Sequence, residues 1–173
     1  MSCVVGLLKD GKLYMGSEGR ATTDEGENRP IIATKMFWNG PYLLGFAGSV
    51  RTGQLLKPQY FDPPDDISEF PDSMIELLGN KGSLATSDDQ LSMQNCNVLV
   101  GFENRLYEIL SDFQLNEVYG DYLSIGSGAS YALGSLYTSR RVKSAEKRVT
   151  LALQAACFFD TSCGPPFFIE IME

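Results

Sequence analysis

Apolar and polar positions in this chain come in short alternating or continuous runs, and turn residues punctuate them. Val4 to Lys9 reads as a strand, Asp10-Gly11 as a hairpin turn, and Lys12 to Ser17 as the returning strand. After a polar stretch from Thr22 to Arg29, Thr34 to Trp38 and Tyr42 to Ala47 pair around Asn39-Gly40-Pro41, so the first quarter predicts two antiparallel hairpins. Gly48-Ser49 opens a short helix that Pro58 stops. Residues 58 to 72 hold four of the eight prolines together with Asp62, Asp65, Asp66, Glu69 and Asp72. They predict a surface loop or insertion within one domain. Ser73 to Leu78 predicts a brief helix, and Gly79 to Asn95 is polar without a clear period.

Asn97 to Phe102 and Arg105 to Leu110 predict a third hairpin across Glu103-Asn104. Asp121 to Ile125 is a further strand that ends in Gly126-Ser127-Gly128. Ala129, Ala132, Leu133, Leu136 and Tyr137 then share one helical face. Val149, Ala152, Leu153 and Ala156 repeat the pattern, with Ser144 as N-cap and Glu146 in the first turn. Phe167 to Met172 closes as a strand. Antiparallel strands with segregated helices indicate an α+β fold whose helices cover the outside of packed sheets.

Composition narrows the function classes. At 173 residues the chain makes one domain with a proper core, and 43% apolar against 21% charged residues excludes a disordered chain. No apolar run approaches the ~18 residues a membrane span needs, and no basic-then-apolar leader opens the chain. A cytoplasmic protein without membrane partners is expected. Twenty-two acids against fourteen bases give a net charge of −8, which weighs against nucleic acid. The one basic cluster, Arg140, Arg141, Lys143, Lys147 and Arg148, reads as a solvated helix junction. Cys3, Cys96, Cys157 and Cys163 form no Cys-x-x-Cys pair, so free, mostly buried thiols are expected, with no metal and no cofactor.

The chain has no histidine, which excludes Ser-His-Asp and Cys-His mechanisms. The opening Met1-Ser2 supplies another route. Methionine is normally trimmed before a small residue, and trimming gives Ser2 a hydroxyl and a free α-amine. An amine with pKa near ~7.7–8.0 can act as the base that the hydroxyl needs.

Five segments occur in order: Ser2-Cys3-Val4-Val5-Gly6, Gly16-Ser17-Glu18-Gly19-Arg20-Ala21-Thr22, Lys35-Met36-Phe37, Gly45-Phe46-Ala47-Gly48 and Ile125-Gly126-Ser127-Gly128. From Ser2 to about Asp160 the chain resembles the proteasome β-subunit and HslV-like family of N-terminal-nucleophile hydrolases, less so between Pro58 and Asn95. The resemblance implies a single domain over 1–173, built as a four-layer αββα sandwich of two antiparallel sheets flanked by helices. It makes Ser2 the nucleophile. Serine lacks the methyl that restricts threonine's rotamers, so slower turnover is implied. Lys35 matches the lysine whose charge keeps the amine neutral and basic, and Glu18 the acid that holds that lysine. Ser127 and Asp160 match the hydroxyl and carboxylate that orient the amine, and Gly45 the glycine whose N–H stabilises the oxyanion. Ala21, Ala33, Leu43 and Ala47 match the substrate pocket, implying a small to medium apolar side chain at the cleavage site.

The sequence departs from that pattern in its serine nucleophile, in Cys163 where a serine is usual, and in Pro165-Pro166, expected to disturb the next strand. Each matched residue also has a plainer reading. Lys35 is then a solvated strand lysine, Glu18 and Arg20 a surface ion pair, Ser127 a turn cap, and Asp160 a helix-end acid.

Three functions follow. The first is a peptidase that cleaves polypeptides inside a homo-oligomeric ring fed by an ATPase unfoldase, as the resemblance implies. The second is an inactive scaffold of a larger assembly such as a virus particle, with Met1 retained and residues 58–72 as contact surface. The third is nucleotide binding at Gly126-Ser127-Gly128, which lacks the lysine-serine pair of a P-loop.

Overall fold

Cys3 to Leu7 is an unbroken buried run because β1 (Val4–Lys9) lies between a helical layer and a second sheet. The computed structural model describes residues 2–22, 28–32, 34–87 and 90–173. Cys3, Val5 and Leu7 face the helices, whereas Val4 faces the other sheet and Gly6 meets Leu106 there. The period of two along a strand thus loads both faces with apolar groups.

β1 turns through Asp10 (φ 53°) and Gly11 (φ 75°) into β2 (Lys12–Glu18). Positive φ at both central residues suits a right-twisted hairpin, and the Asp-Gly pair accepts it cheaply. A short ribbon of β3 (Arg20–Thr22) and β4 (Asn28–Ile32) follows. It occupies the stretch the sequence reading left without strands, because its pairing rests on the backbone and carries no apolar alternation. β5 (Met36–Asn39) and β6 (Tyr42–Ala47) form the next hairpin, and Ser49 caps α1 (Val50–Leu56) by accepting from Thr52 N at 3.3 Å.

The proline-rich segment is more structured than a surface loop. Phe61 and Phe70 are buried in the core, and Phe61 N donates to Asn39 Oδ1 at 3.1 Å while Asn39 Nδ2 holds Leu56 O at 3.1 Å. A 3₁₀ turn at Ile67–Glu69 leads into α2 (Phe70–Asn80), which begins earlier than Ser73 because Pro71 suits a first helical turn, where an N–H goes unused. β7 (Ala85–Ser87) and β8 (Gln90–Ser92) make a second ribbon in the polar stretch.

β9 (Asn97–Phe102) and β10 (Arg105–Ile109) pair as expected, and β11 (Leu115–Glu117) adds an edge strand too short for a periodic signal. After β12 (Tyr122–Ile125) come α3 (Ala129–Thr138) and α4 (Ala145–Phe159), where Ser144 Oγ accepts from Lys147 N at 3.2 Å. β13 (Phe167–Met172) starts directly after the cis Pro165-Pro166 bond and keeps an unbroken register with β2. The prolines therefore do not disturb the strand.

One sheet has the order β12-β1-β2-β13 and the other β11-β10-β9-β6-β5. Val4, Leu13, Met15, Leu43, Leu99 and Leu106 fill the space between them. Helices α3 and α4 cover the first sheet through Leu136, Val149 and Leu153, and α1 and α2 cover the second through Leu56, Met74 and Leu78. The fold is the four-layer αββα sandwich. Arg148 is an exception to the solvated basic cluster: it is buried, and its Nη2 donates to Leu136 O at 3.1 Å. No helix among the described residues is long and apolar enough to cross a membrane.

Candidate active site

The register of β1 against β12 brings the start of the chain to the Gly126-Ser127-Gly128 turn. Val4 lies opposite Ile125, so Ser2 falls beside Ser127. Ser2 N donates to Ser127 Oγ at 3.1 Å, and Gly128 N donates to Ser2 O at 3.2 Å. Gly126 has φ 97°, and a Cβ there would run into the Ser2 carbonyl, so only glycine permits this approach. The N-terminus of α3 is thereby engaged by the chain's own second residue.

Asp160 caps the other end of the helical layer, its N donating to Ala156 O at 2.8 Å. Burial pushes its carboxyl upward, but hydrogen bonds from Ser127, Ser162 and Cys163 outweigh burial and hold the pKa below the ordinary aspartate value. Ser162 N donates to Oδ1 at 2.9 Å and Cys163 Sγ to Oδ2 at 3.5 Å. Ser2, Ser127 and Asp160 are therefore consecutive members of one hydrogen-bonded chain.

A second constellation stands across the β1–β2 ladder. Glu18 N donates to Cys3 O at 3.3 Å, and the Glu18 carboxylate is fully buried. Lys35, from the approach to β5, is 2% exposed and bonds Glu18 Oε1 directly, while its Nζ also donates to Arg20 O at 2.7 Å. Glu18 Oε2 takes main-chain N–H groups from Arg20 at 2.8 Å and Gly164 at 3.3 Å. The plainer readings fail on burial: Lys35 is not solvated, and Glu18 pairs with Lys35 rather than with the Arg20 guanidinium, which donates to Thr161 O at 3.1 Å.

A cavity of about 590 Å³ opens beside Ser2. Gly126 and Ser127 line it with Ser2, Ala47 to Ser49 form another side, and Gln94, Asn95 and Asn97 a third.

No protein-family model matches the sequence. The HslV subunit of an ATP-dependent protease from Borreliella burgdorferi (strain ZS7) is 28% identical over 133 residues, 75% of this chain and 71% of that protein. The structure of Thiobacillus denitrificans BPH in complex with epoxomicin superimposes with a TM-score of 0.81 at 21% identity, covering 99% of this chain and 98% of that one. Eukaryotic HslV from Trypanosoma brucei gives 0.72 at 20% identity, with 99% of both chains covered. This chain shares the fold of those structures and is similar in sequence to an HslV protease subunit. Its relatives by sequence are protease subunits.

Two of the expected site residues, Gly45 and Leu43, are not among the described residues that line this cavity. Gly45 is buried in the middle of β6, paired with Met36 on one side and Leu99 on the other, and is not among the residues lining the cavity. Gly48, three residues on and at φ 123°, takes the position at the cavity. Leu43 is fully buried between the sheets, because the two-residue period of β6 turns it the same way as Gly45 and Ala47 but deeper into the sandwich. Ala47 does line the cavity. Ala21 is known only by its backbone position in β3, and Ala33 lies outside the described residues. The sequence reading missed Gly48, Ser49, Gln94, Asn95 and Asn97. A usable signal was the amide-rich Gln94-Asn95-Cys96-Asn97 directly before a buried strand.

Proposed function

We propose that this protein is an N-terminal-nucleophile peptidase in which removal of Met1 frees Ser2 to hydrolyse peptide bonds. The observation that carries this reading is the contact of Ser2 N with Ser127 Oγ, itself hydrogen-bonded to the Asp160 carboxylate. Once that nitrogen is a free amine, Ser127 and Asp160 orient it, and its lone pair takes the proton of the Ser2 hydroxyl. The hydroxyl oxygen attacks the peptide carbonyl, the leaving amine takes the proton, and water hydrolyses the resulting ester. The Lys35 ammonium is held by Glu18, which ends β2, the strand paired with β1. Gly48 N–H, at the cavity edge, is the donor for the oxyanion in place of Gly45.

The proposal extends to a homo-oligomeric ring acting on polypeptides in the cytoplasm with an ATPase partner; the Borreliella protein, an ATP-dependent protease subunit by name, supports the polypeptide substrate and the ATP-dependent partner. The test combines intact mass with epoxomicin, the ligand of the BPH structure. The expected result is a mature chain lacking Met1 that forms a covalent adduct on Ser2, with turnover and adduct both lost in Ser2→Ala. A native assembly that keeps Met1 and takes no label returns the protein to the scaffold reading.

A further inference from the structure

The geometry points to uncharged, hydrogen-bonding side chains (Gln, Asn, Ser, Thr) as those this protein accepts next to the bond it cleaves, selected by Gln94, Asn95 and Asn97. This rests on the peptidase reading of Ser2 and gives that site a substrate class.

The cavity beside Ser2 is within the ordinary size range of a ligand site, and its walls are chemically one-sided. Ala47 is the one apolar side chain among its described lining residues, and none of those described residues is charged. The rest are hydroxyls, glycines and three amides. An aliphatic or aromatic side chain placed there would strip water from those amides and return no hydrogen bonds. A charged one would meet no opposite charge among the described lining residues. A side chain that both donates and accepts replaces the displaced water bond for bond.

The Asn97 amide is held in place, and the main chain that carries the other two is packed. Asn97 Nδ2 donates to Glu108 Oε1 at 3.2 Å, which leaves the acceptor oxygen as the end Asn97 chiefly offers a ligand. Gln94 and Asn95 take positive φ of 52° and 58°. The Asn95 carbonyl packs so closely on Gly48 that no Cβ fits at that glycine. The main chain of this wall is thereby packed against the segment that carries Ala47 and Ser49. This preference differs from the apolar pocket the family resemblance implies: of that set Ala47 lines the cavity, and Leu43 is spent in the core between the sheets.

The test uses the mature full-length protein and internally quenched peptide libraries varied on both sides of the scissile bond. At one flanking position Gln and Asn should exceed Leu and Val by about tenfold in kcat/KM, the worth of one or two hydrogen bonds. Gln94→Leu should bring that ratio close to one. Gln94 is exposed and outside the core, so this variant keeps its fold. Asn97→Leu should act in the same direction. A wild-type preference for apolar or charged side chains, or a ratio that Gln94→Leu leaves unmoved, overturns the inference while hydrolysis stands. Absence of any Ser2-dependent cleavage overturns the peptidase reading and this inference together.

Discussion

Glu18 and Lys35 are both removed from water, and each is satisfied by the other and by main-chain groups. The carboxylate receives Lys35 Nζ and two main-chain N–H groups, so its lone pairs are met by three donors. Removing one charge strands the other. Lys35→Ala should therefore cost about 3–5 kcal/mol in urea unfolding, besides ending turnover. The double change Lys35→Met with Glu18→Gln should recover most of that stability, since a glutamine oxygen still accepts from the main chain, yet remain inactive. Recovery of turnover with stability would assign the pair a purely structural role. Asp160 supplies a pH signature. Its pKa is lowered in the folded protein, so its contribution is present above the unfolded value, about 3.9, and is lost as pH falls through the lowered folded value. Asp160→Asn should flatten the acid limb of a stability-versus-pH curve measured between pH 5 and 2.

Packing between elements decides several positions where local preference says otherwise. Gly53 sits inside α1, where alanine is favoured by about 1 kcal/mol on helix propensity. A Cβ there would overlap the Phe46 ring, which is 5% exposed and packed beside Phe37. Overpacking costs about 1–3 kcal/mol, so Gly53→Ala should destabilise in chemical denaturation despite its better propensity. The helices α3 and α4, the Ser144 cap and the three hairpins were legible from periodicity and turn residues. The ribbons β3–β4 and β7–β8 were not, because two-stranded pairing over three to five residues leaves no apolar alternation to read. Phe61 and Phe70 were hidden among prolines and acids, and only the stack of Tyr42 between Phe70 (4.5 Å) and Phe102 (5.0 Å) reveals that segment as core.

Across the whole molecule the four thiols report on the layers. Cys3 and Cys163 lie in the α3–α4 layer and Cys96 in the α1–α2 layer, all buried, whereas Cys157 is half-buried. Burial pushes Cys3 and Cys96 up to about 12, and it is the leading cause for Cys157, at about 11. At pH 8 iodoacetamide should label Cys157 first. Cys3 and Cys96 should follow at one shared rate set by global unfolding. Separate rates would mean that the two halves of the sandwich open independently. Because these pKa values are raised on folding, their stabilising effect is complete below the ordinary thiol value of about 8.5. It declines as pH climbs toward about 12.

By itself the sequence determined the α+β class and the order of the longer strands and helices, and its resemblance to a known family nominated Ser2, Glu18, Lys35, Ser127 and Asp160. The class and the order follow from local periodicity and turn chemistry, properties of neighbouring residues, whereas the nominations follow from the resemblance to a known family. Tertiary structure alone decided which glycine faces the cavity, since Gly45 and Gly48 differ only in depth along one strand and its exit. It likewise sent Leu43 to the core, buried Arg148, and brought Gln94, Asn95 and Asn97 opposite Ser2. A contact across some ninety residues of chain depends on how two sheets stack, and no local pattern encodes that.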